Sequence, residues 1–149
     1  MTDVRFYHMT RTALETALPQ MLEKTLERGQ RAVVMAGSEE RVESLNAGLW
    51  TYRERSFLPH GSAKDGFAED QPVWLTARDE NPNGAEVLFL TDGATAQSLA
   101  DYKLCAMLFD GGNDTAVQLA RDQWRRLKEA GHEVTYWKQD ETGRWAQQA

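Results

Sequence analysis

The sequence predicts a single α/β domain, residues 1–149, built as a sandwich around a largely parallel β-sheet. Two observations carry this prediction. Strand-like and helix-like segments alternate along the chain, as they do in proteins built from strand-helix-strand units. Several strand-like segments are apolar at nearly every position, which is typical of parallel strands buried on both faces. The length suits one domain with a substantial core, and no repeat or linker interrupts it.

Six segments read as strands because they are rich in apolar residues and bounded by turn-forming residues. They are Val4 to Met9, Arg31 to Ala36, Pro72 to Thr76, Glu86 to Thr91, Lys103 to Asp110 and Glu133 to Lys138. The polar, glycine-bearing stretch of residues 51–71 is predicted to be a loop, and Asn81 to Gly84 a turn.

The first helix is predicted to run from Thr12 to about Arg28. Thr12 and Glu15 have capping-box spacing, and Gly29 suits the left-handed residue that ends a helix. Pro19 conflicts with this boundary because an interior proline removes a hydrogen bond. A start near Leu18, with the proline in the first turn, is the alternative.

Three further helices follow. Ser38 is positioned to cap a helix over Glu39 to Trp50, and a short helix is expected within Gly93 to Ala100. Asp114 or Thr115 can cap the long last helix, which Gly131 ends. Small and apolar residues recur there at helical spacing and should face the core. They are Ala116, Ala120, Leu127 and Ala130.

A second stripe on the last helix combines one aromatic residue with cations. Val117, Arg121, Trp124 and Lys128 lie at helical spacing, and Arg125 follows Arg121 by one turn. Arginine presents a planar fork of donors to a carboxylate, and the indole offers a rigid apolar face. The pattern therefore favours a site for a peptide that ends in an apolar residue and a free carboxylate. The alternative is that the ring belongs to the core and the cations form a solvated face that complements the helix C-terminus.

Charge limits the possible partners. The formal net charge is −6, and a strongly acidic protein repels phosphate backbones. From Arg121 to Lys128, however, four cations stand against one acid, Asp122, so this helix face favours an acidic partner. No apolar run is long enough to span a membrane, and no export signal is visible. The lone Cys105, expected to be buried and inert, fits a reducing cytoplasm.

Three glycine-bearing turns follow predicted strands, where α/β folds place ligands. They begin at Ala36, Asp92 and Asp110. A nucleotide site is disfavoured because both phosphate-binding glycine fingerprints are absent and carboxylates flank the last turn. Asp92, Asp110 and Asp114 could instead hold magnesium in a metal-dependent phosphodiesterase or nuclease. Against this, aspartate is common in turns and caps for local reasons.

Other candidates for chemistry are few. His8, His60 and His132 lack metal-ligand spacing, so structural roles are expected for them. No residue is a clear catalytic candidate, and no cofactor is expected. Trp50 and Phe57 either cover the edge of the sheet or serve as anchors of a protein interface.

Taken together, several of these segments resemble one family, the chi subunit of bacterial DNA polymerase III, over nearly the full length. The segments that carry the resemblance are Phe6-Tyr7, Leu49-Trp50, Ser56 to His60, Pro72 to Leu75, and Ala120-Arg121 through Gly131.

The resemblance implies a noncatalytic adaptor with a Rossmann-like, three-layer α/β fold. Proteins of this kind bind the acidic C-terminal tail of single-stranded-DNA-binding protein, which ends in a phenylalanine carboxylate. They also pair with a small psi subunit that connects them to the clamp loader of the polymerase III holoenzyme, so that contact with DNA is indirect. The tail-binding arginine of the family falls on Arg121, with Trp124 and Arg125 at its neighbouring positions. Trp124 departs from the tyrosine often found there. Trp50 and Phe57 match positions that contact psi.

Overall fold

The computed structural model describes residues 2–10, 13–50, 60–62, 66–96, 99 and 101–148, and for Trp50 it describes the backbone only. Within these residues the strands are β1 (Asp3–Met9), β2 (Ala32–Met35), β3 (Gly61–Ser62), β4 (Val73–Thr76), β5 (Val87–Leu90), β6 (Leu104–Asp110), β7 (Glu133–Gln139) and β8 (Trp145–Gln147). The α-helices are α1 (Leu14–Glu27), α2 (Glu39–Trp50) and α3 (Asp114–Glu129), and a single 3-10 turn spans Ala68–Asp70.

One sheet contains all eight of these strands, in the order β3-β4-β2-β5-β6-β1-β7-β8. Every neighbouring pair is parallel except β7 and β8, which form an antiparallel hairpin. All residues of β2, β4 and β5 are buried, as expected for central parallel strands covered on both faces. The predicted, mostly parallel sheet is confirmed.

The helices cover opposite faces of the sheet. Apolar residues of α1 and α2, including Leu18, Leu22 and Leu45, pack with one set of strand side chains. Ala120 of α3 packs with the alternate set, which includes Phe6 of β1. Successive side chains of a strand point to opposite faces, so one sheet supports two separate cores. The result is the three-layer α/β sandwich that was predicted.

The start of α1 differs from both predictions. The helix begins at Leu14 after Ala13, whose side chain makes no capping hydrogen bond, while Thr12 lies outside the described residues. Pro19 lies inside the helix and is buried, so a start near Leu18 is wrong. Beginning the helix at Leu14 forgoes one backbone hydrogen bond at Pro19 but buries Leu14 and Ala17 in the same core as Leu18. Gly29, at φ +74°, ends the helix as predicted.

The residue that caps the N-terminus of α3 also differs from the prediction. The Asn113 side chain, rather than that of Asp114 or Thr115, accepts a hydrogen bond from the Ala116 amide at 3.0 Å. The predicted end at Gly131 is confirmed by its φ of +89°.

Core positions of α3 are partly as predicted. Ala116, Ala120 and Leu127 pack against the sheet. Ala130 is exposed, because it follows the last helical residue and no longer lies on the buried stripe.

Three other regions depart from the sequence prediction. Strand β3, Gly61–Ser62, pairs with β4 within the stretch of residues 51–71 that was predicted to be a loop. Residues 93–96 are not helical, and part of the remaining Gly93 to Ala100 segment lies outside the described residues. Strand β8 was not predicted. Asp140 organises the turn before it by accepting hydrogen bonds from Thr142 and the Arg144 amide. The strand forms because of this turn and its pairing with β7. It is too short to show a periodic pattern in the sequence, which is why it was not predicted.

Ser38 caps α2, since its hydroxyl accepts a hydrogen bond from the Arg41 amide at 3.1 Å. Cys105 is fully buried, and this burial raises its pKa to about 12. The prediction of a buried thiol is therefore confirmed. Among the described residues, no helix is both long enough and apolar enough to cross a membrane.

Candidate functional site

The candidate site lies where α3 crosses β1 and β7. Phe6 of β1 and Tyr136 of β7 are register partners, and both point to the face that α3 covers. Trp124 rests on them edge-on, with ring centroids 5.7 Å from Phe6 and 5.9 Å from Tyr136 and interplanar angles of 71° and 79°. These geometries match the favourable edge-to-face arrangement of aromatic rings. Trp124 is therefore anchored in the core but not sealed within it.

The cations of the stripe lie on the solvent side of this aromatic cluster. Lys128 Nζ stands 5.0 Å from the centroid of the Trp124 ring, a cation-π distance. Arg121 and Arg125 are exposed, and neither guanidinium contacts a ring or forms an ion pair within the described part of the chain. Of the three cations on this stripe, Arg121, Arg125 and Lys128, only Lys128 contacts the indole within the described residues. Val117 is half-buried against the sheet.

A second group of side chains, on β1 and β6, extends the floor of the site. The His8 ring packs 5.0 Å from Phe109, and its Nδ1 is hydrogen-bonded to the Tyr136 hydroxyl. The ring lies so close to Gly111 that a Cβ there would overlap His8 Nε2. Gly111 therefore leaves room for the histidine.

Electrostatic interactions connect Arg121 with this floor. Burial lowers the pKa of His8, and the positive charges of Lys138 and Arg121 lower it further. The negative charge of Asp110 instead raises the pKa of His8. Burial raises the pKa of Tyr136, and the charge of Arg121 opposes that rise. Arg121 thus lies within electrostatic range of both the imidazole and the phenol.

Sequence reasoning missed His8, Tyr136 and Lys138 as members of this cluster. The two-residue periodicity of strands could have indicated them, because it places Phe6 and His8 on one face of β1, and Tyr136 and Lys138 on one face of β7. It becomes informative only when β1 and β7 are known to be neighbours.

The metal-site hypothesis is wrong. Within the described residues, no three side chains from His, Cys, Asp and Glu are gathered so that they could hold a metal ion. Asp92 forms an ion pair with Arg41 at 3.0 Å. Asp110 accepts a hydrogen bond from the Gly112 amide at 2.8 Å, and Asp114 lies in the first turn of α3. The three carboxylates therefore occupy separate positions in the fold and do not form a shared metal site.

A cavity of about 770 Å³ opens at the carboxyl ends of the strands, where α/β folds place ligands. It lies on the other flank of α3 from Arg121 and is lined by residues such as Leu14, Arg41, Met107, Asp110 and Leu119. Arg41 is engaged there by both Glu15 and Asp92. The cavity therefore offers apolar walls and a neutralised guanidinium rather than a free cation.

Two predicted interface residues are not tested. Phe57 and the side chain of Trp50 lie outside the described residues. The backbone of Trp50 ends α2, as predicted.

The fold and the site define a class, an α/β sandwich domain that presents an aromatic surface with exposed cations above a parallel sheet. Comparison with known proteins places it more narrowly. The family model described as "DNA polymerase III chi subunit, HolC" matches residues 1–135, and the chain belongs to this family.

A related protein of Rickettsia prowazekii (strain Madrid E), named "Probable DNA polymerase III subunit chi", is 31% identical over 105 residues. The matched region covers 68% of this chain and 64% of that protein. The family model stops at residue 135, so it covers α3 and ends within β7. The β7-β8 hairpin lies largely beyond it.

Proposed function

We propose that this chain is a noncatalytic accessory subunit of the DNA polymerase III holoenzyme, acting in the cytoplasm during DNA replication. In this role it binds the acidic C-terminal tail of single-stranded-DNA-binding protein and links that protein to the clamp loader. Family membership supports the place in the holoenzyme, and the surface of α3 supports the ligand.

One observation carries the choice of ligand. Arg121 is exposed beside the half-buried Trp124 and has no acidic partner in the described part of the chain. An arginine held next to an aromatic surface, without an internal counterion, suits a peptide carboxylate with an apolar side chain beside it. We assign the terminal carboxylate of the tail to Arg121 and its phenyl ring to the surface around Trp124 and Val117. Arg125 and Lys128 would interact with acidic residues further along the tail.

The connection to the clamp loader is proposed through a psi subunit or an equivalent protein, with Trp50 and Phe57 as contacts. It is supported only by their correspondence with family positions. A pull-down with the single-stranded-DNA-binding protein, with and without its tail, tests the contact between that tail and this protein.

Calorimetry with a synthetic acidic peptide that ends in phenylalanine tests the site itself. We expect micromolar affinity for the wild-type protein, equivalent to about −8 kcal/mol. Arg121→Ala should weaken binding by roughly tenfold to a hundredfold, because hydrogen bonds to charged groups are worth about 1.5–3 kcal/mol. Affinity should fall with salt, since exposed charges are screened.

A matched control and a double-mutant cycle make this test specific. Arg126 lies about 140° around α3 from Arg121 at helical spacing, so Arg126→Ala removes the same charge from the opposite flank. It should leave affinity nearly unchanged. Amidating the peptide terminus should weaken binding to the wild-type protein but add little to the loss in Arg121→Ala, because both changes remove one interaction. Equal affinities for wild type and Arg121→Ala would refute the assignment.

A further inference from the structure

The described cations above the sheet are not confined to α3. Lys138 is exposed on β7 and is the register partner of His8 on β1. Paired residues of neighbouring strands lie about 5 Å apart, so the two side chains emerge next to each other on the face that α3 covers. Tyr136, two residues before Lys138, points to the same face and holds the imidazole through its hydroxyl.

We propose that the peptide-binding site continues from α3 across the carboxyl ends of β1 and β7. There His8, Tyr136 and Lys138 form a second anion subsite for acidic side chains of the same peptide. This inference rests on the proposed function, because it assumes that the peptide terminus is held by Arg121.

The balance of charge at this end of the sheet supports an anionic occupant. Lys138 has no ion pair within the described residues. Asp140, the acid nearest to it along the chain, is occupied in its own turn by Thr142 and Arg144. Among the described residues, Asp110 is the acid whose charge acts on His8, against the two cations Arg121 and Lys138. The subsite is therefore net positive on a protein whose formal net charge is −6.

Rigid packing favours recognition at this position. His8 is wedged between Phe109 and Gly111 and hydrogen-bonded to Tyr136. Tyr136 in turn supports the ring of Trp124. The two subsites thus share Tyr136 as a common support, which sets a constant spacing between an anion held at His8 and an apolar group held at Trp124. A peptide with acidic residues shortly before its apolar end fits this spacing.

Truncation of Lys138 tests the proposal with the intact protein. Lys138→Ala should weaken binding of the acidic phenylalanine-terminated peptide by about threefold to fivefold, the upper part of the range for one exposed charge pair. A second peptide, in which the acidic side chains are replaced by amides and the terminal phenylalanine carboxylate is kept, should bind wild type and Lys138→Ala equally. Arg126→Ala is the control for a general loss of charge and should leave both affinities unchanged.

Titration of His8 provides a readout that a general charge effect would not move. His8 faces Tyr136, Phe109, Asp110, Arg121 and Lys138, and its pKa in the free protein lies below the ordinary 6.5. A bound anion favours the imidazolium, so the pKa should rise on binding. Affinity should therefore increase as pH falls through the pKa of the complex and level off below that of the free protein. Peptide carboxylates stay ionised above about pH 5.5.

The outcomes separate the two proposals. The affinity of His8→Gln should lack the rise that titration of His8 produces in the wild type as the pH falls from about 7 to about 5.5, the range in which the peptide carboxylates stay ionised. If Arg121→Ala abolishes binding while Lys138→Ala and Arg126→Ala behave alike, or if Lys138→Ala weakens both peptides equally, the second subsite is refuted and the α3 site stands. If the wild-type protein binds neither peptide, the proposed function fails and the subsite fails with it.

Discussion

Trp124 and Arg121 are neighbours on one helical stripe, yet the structure predicts different effects on stability when each is removed. Trp124 packs edge-on against Phe6 and Tyr136, whereas Arg121 is exposed. Trp124→Ala should therefore reduce the free energy of unfolding as well as peptide affinity, whereas Arg121→Ala should reduce only peptide affinity. The comparison distinguishes a residue that stabilises the fold from one that acts in binding alone.

The magnitude follows from burial. A large aromatic side chain buries roughly 150–250 Å², and a half-buried indole loses on the order of 100 Å² of that on truncation, or about 2.5 kcal/mol at about 25 cal/mol per Å². The two edge-on ring pairs add about 1 kcal/mol. We expect a loss of about 3–4 kcal/mol for Trp124→Ala, close to values for buried aromatic residues. Arg121→Ala should stay within about 0.5 kcal/mol of wild type, as exposed substitutions do.

Chemical denaturation and thermal melting of both variants measure these differences. At roughly 3 °C per kcal/mol for a domain of this size, the melting temperature of Trp124→Ala should fall by about 10 °C. Trp124→Phe retains an aromatic ring in the cluster and should recover most of the loss. A Trp124→Ala variant as stable as the wild type would contradict the packing described for the ring. An Arg121→Ala variant destabilised by more than about 1 kcal/mol would show a structural role for that guanidinium.

Three further predictions concern the rest of the fold. Gly111→Ala should destabilise the protein strongly, because its Cβ would meet the backbone oxygen of Met9 at 2.8 Å as well as the His8 ring, and denaturant titration measures the loss. Gly48→Ala, in α2 with no described atom within 4 Å of the added Cβ, should instead stabilise the protein by about 0.5–1 kcal/mol through helix propensity, so destabilisation in the same titration would show that the added methyl group meets a neighbour. Cys105 should resist alkylation in the native state because burial raises its pKa to about 12. The rate of labelling is followed by mass spectrometry, and a rate in the native protein equal to that in denaturant would refute the burial of the thiol.

The sequence determined the layered fold because its signals there are local. The run from Ala32 to Ala36 is apolar throughout, and only a strand covered on both faces buries such a run completely. Ser38 and Gly131 mark helix boundaries through chemistry confined to a few residues. The stripe of Val117, Arg121, Trp124 and Lys128 was likewise visible, since helical periodicity orders side chains without reference to other elements.

Only the tertiary structure decided how that stripe is used. Whether Trp124 belongs to the core or to a site depends on Phe6 and Tyr136, more than a hundred residues apart in the chain, which the sheet register places side by side. The same register joins His8 to Lys138. The ion pair between Asp92 and Arg41, which are far apart in the chain, likewise forms only in the folded protein. Side-chain type and local spacing are written along the chain, but the neighbours that set burial, charge and pKa come from strands that meet only when the sheet forms.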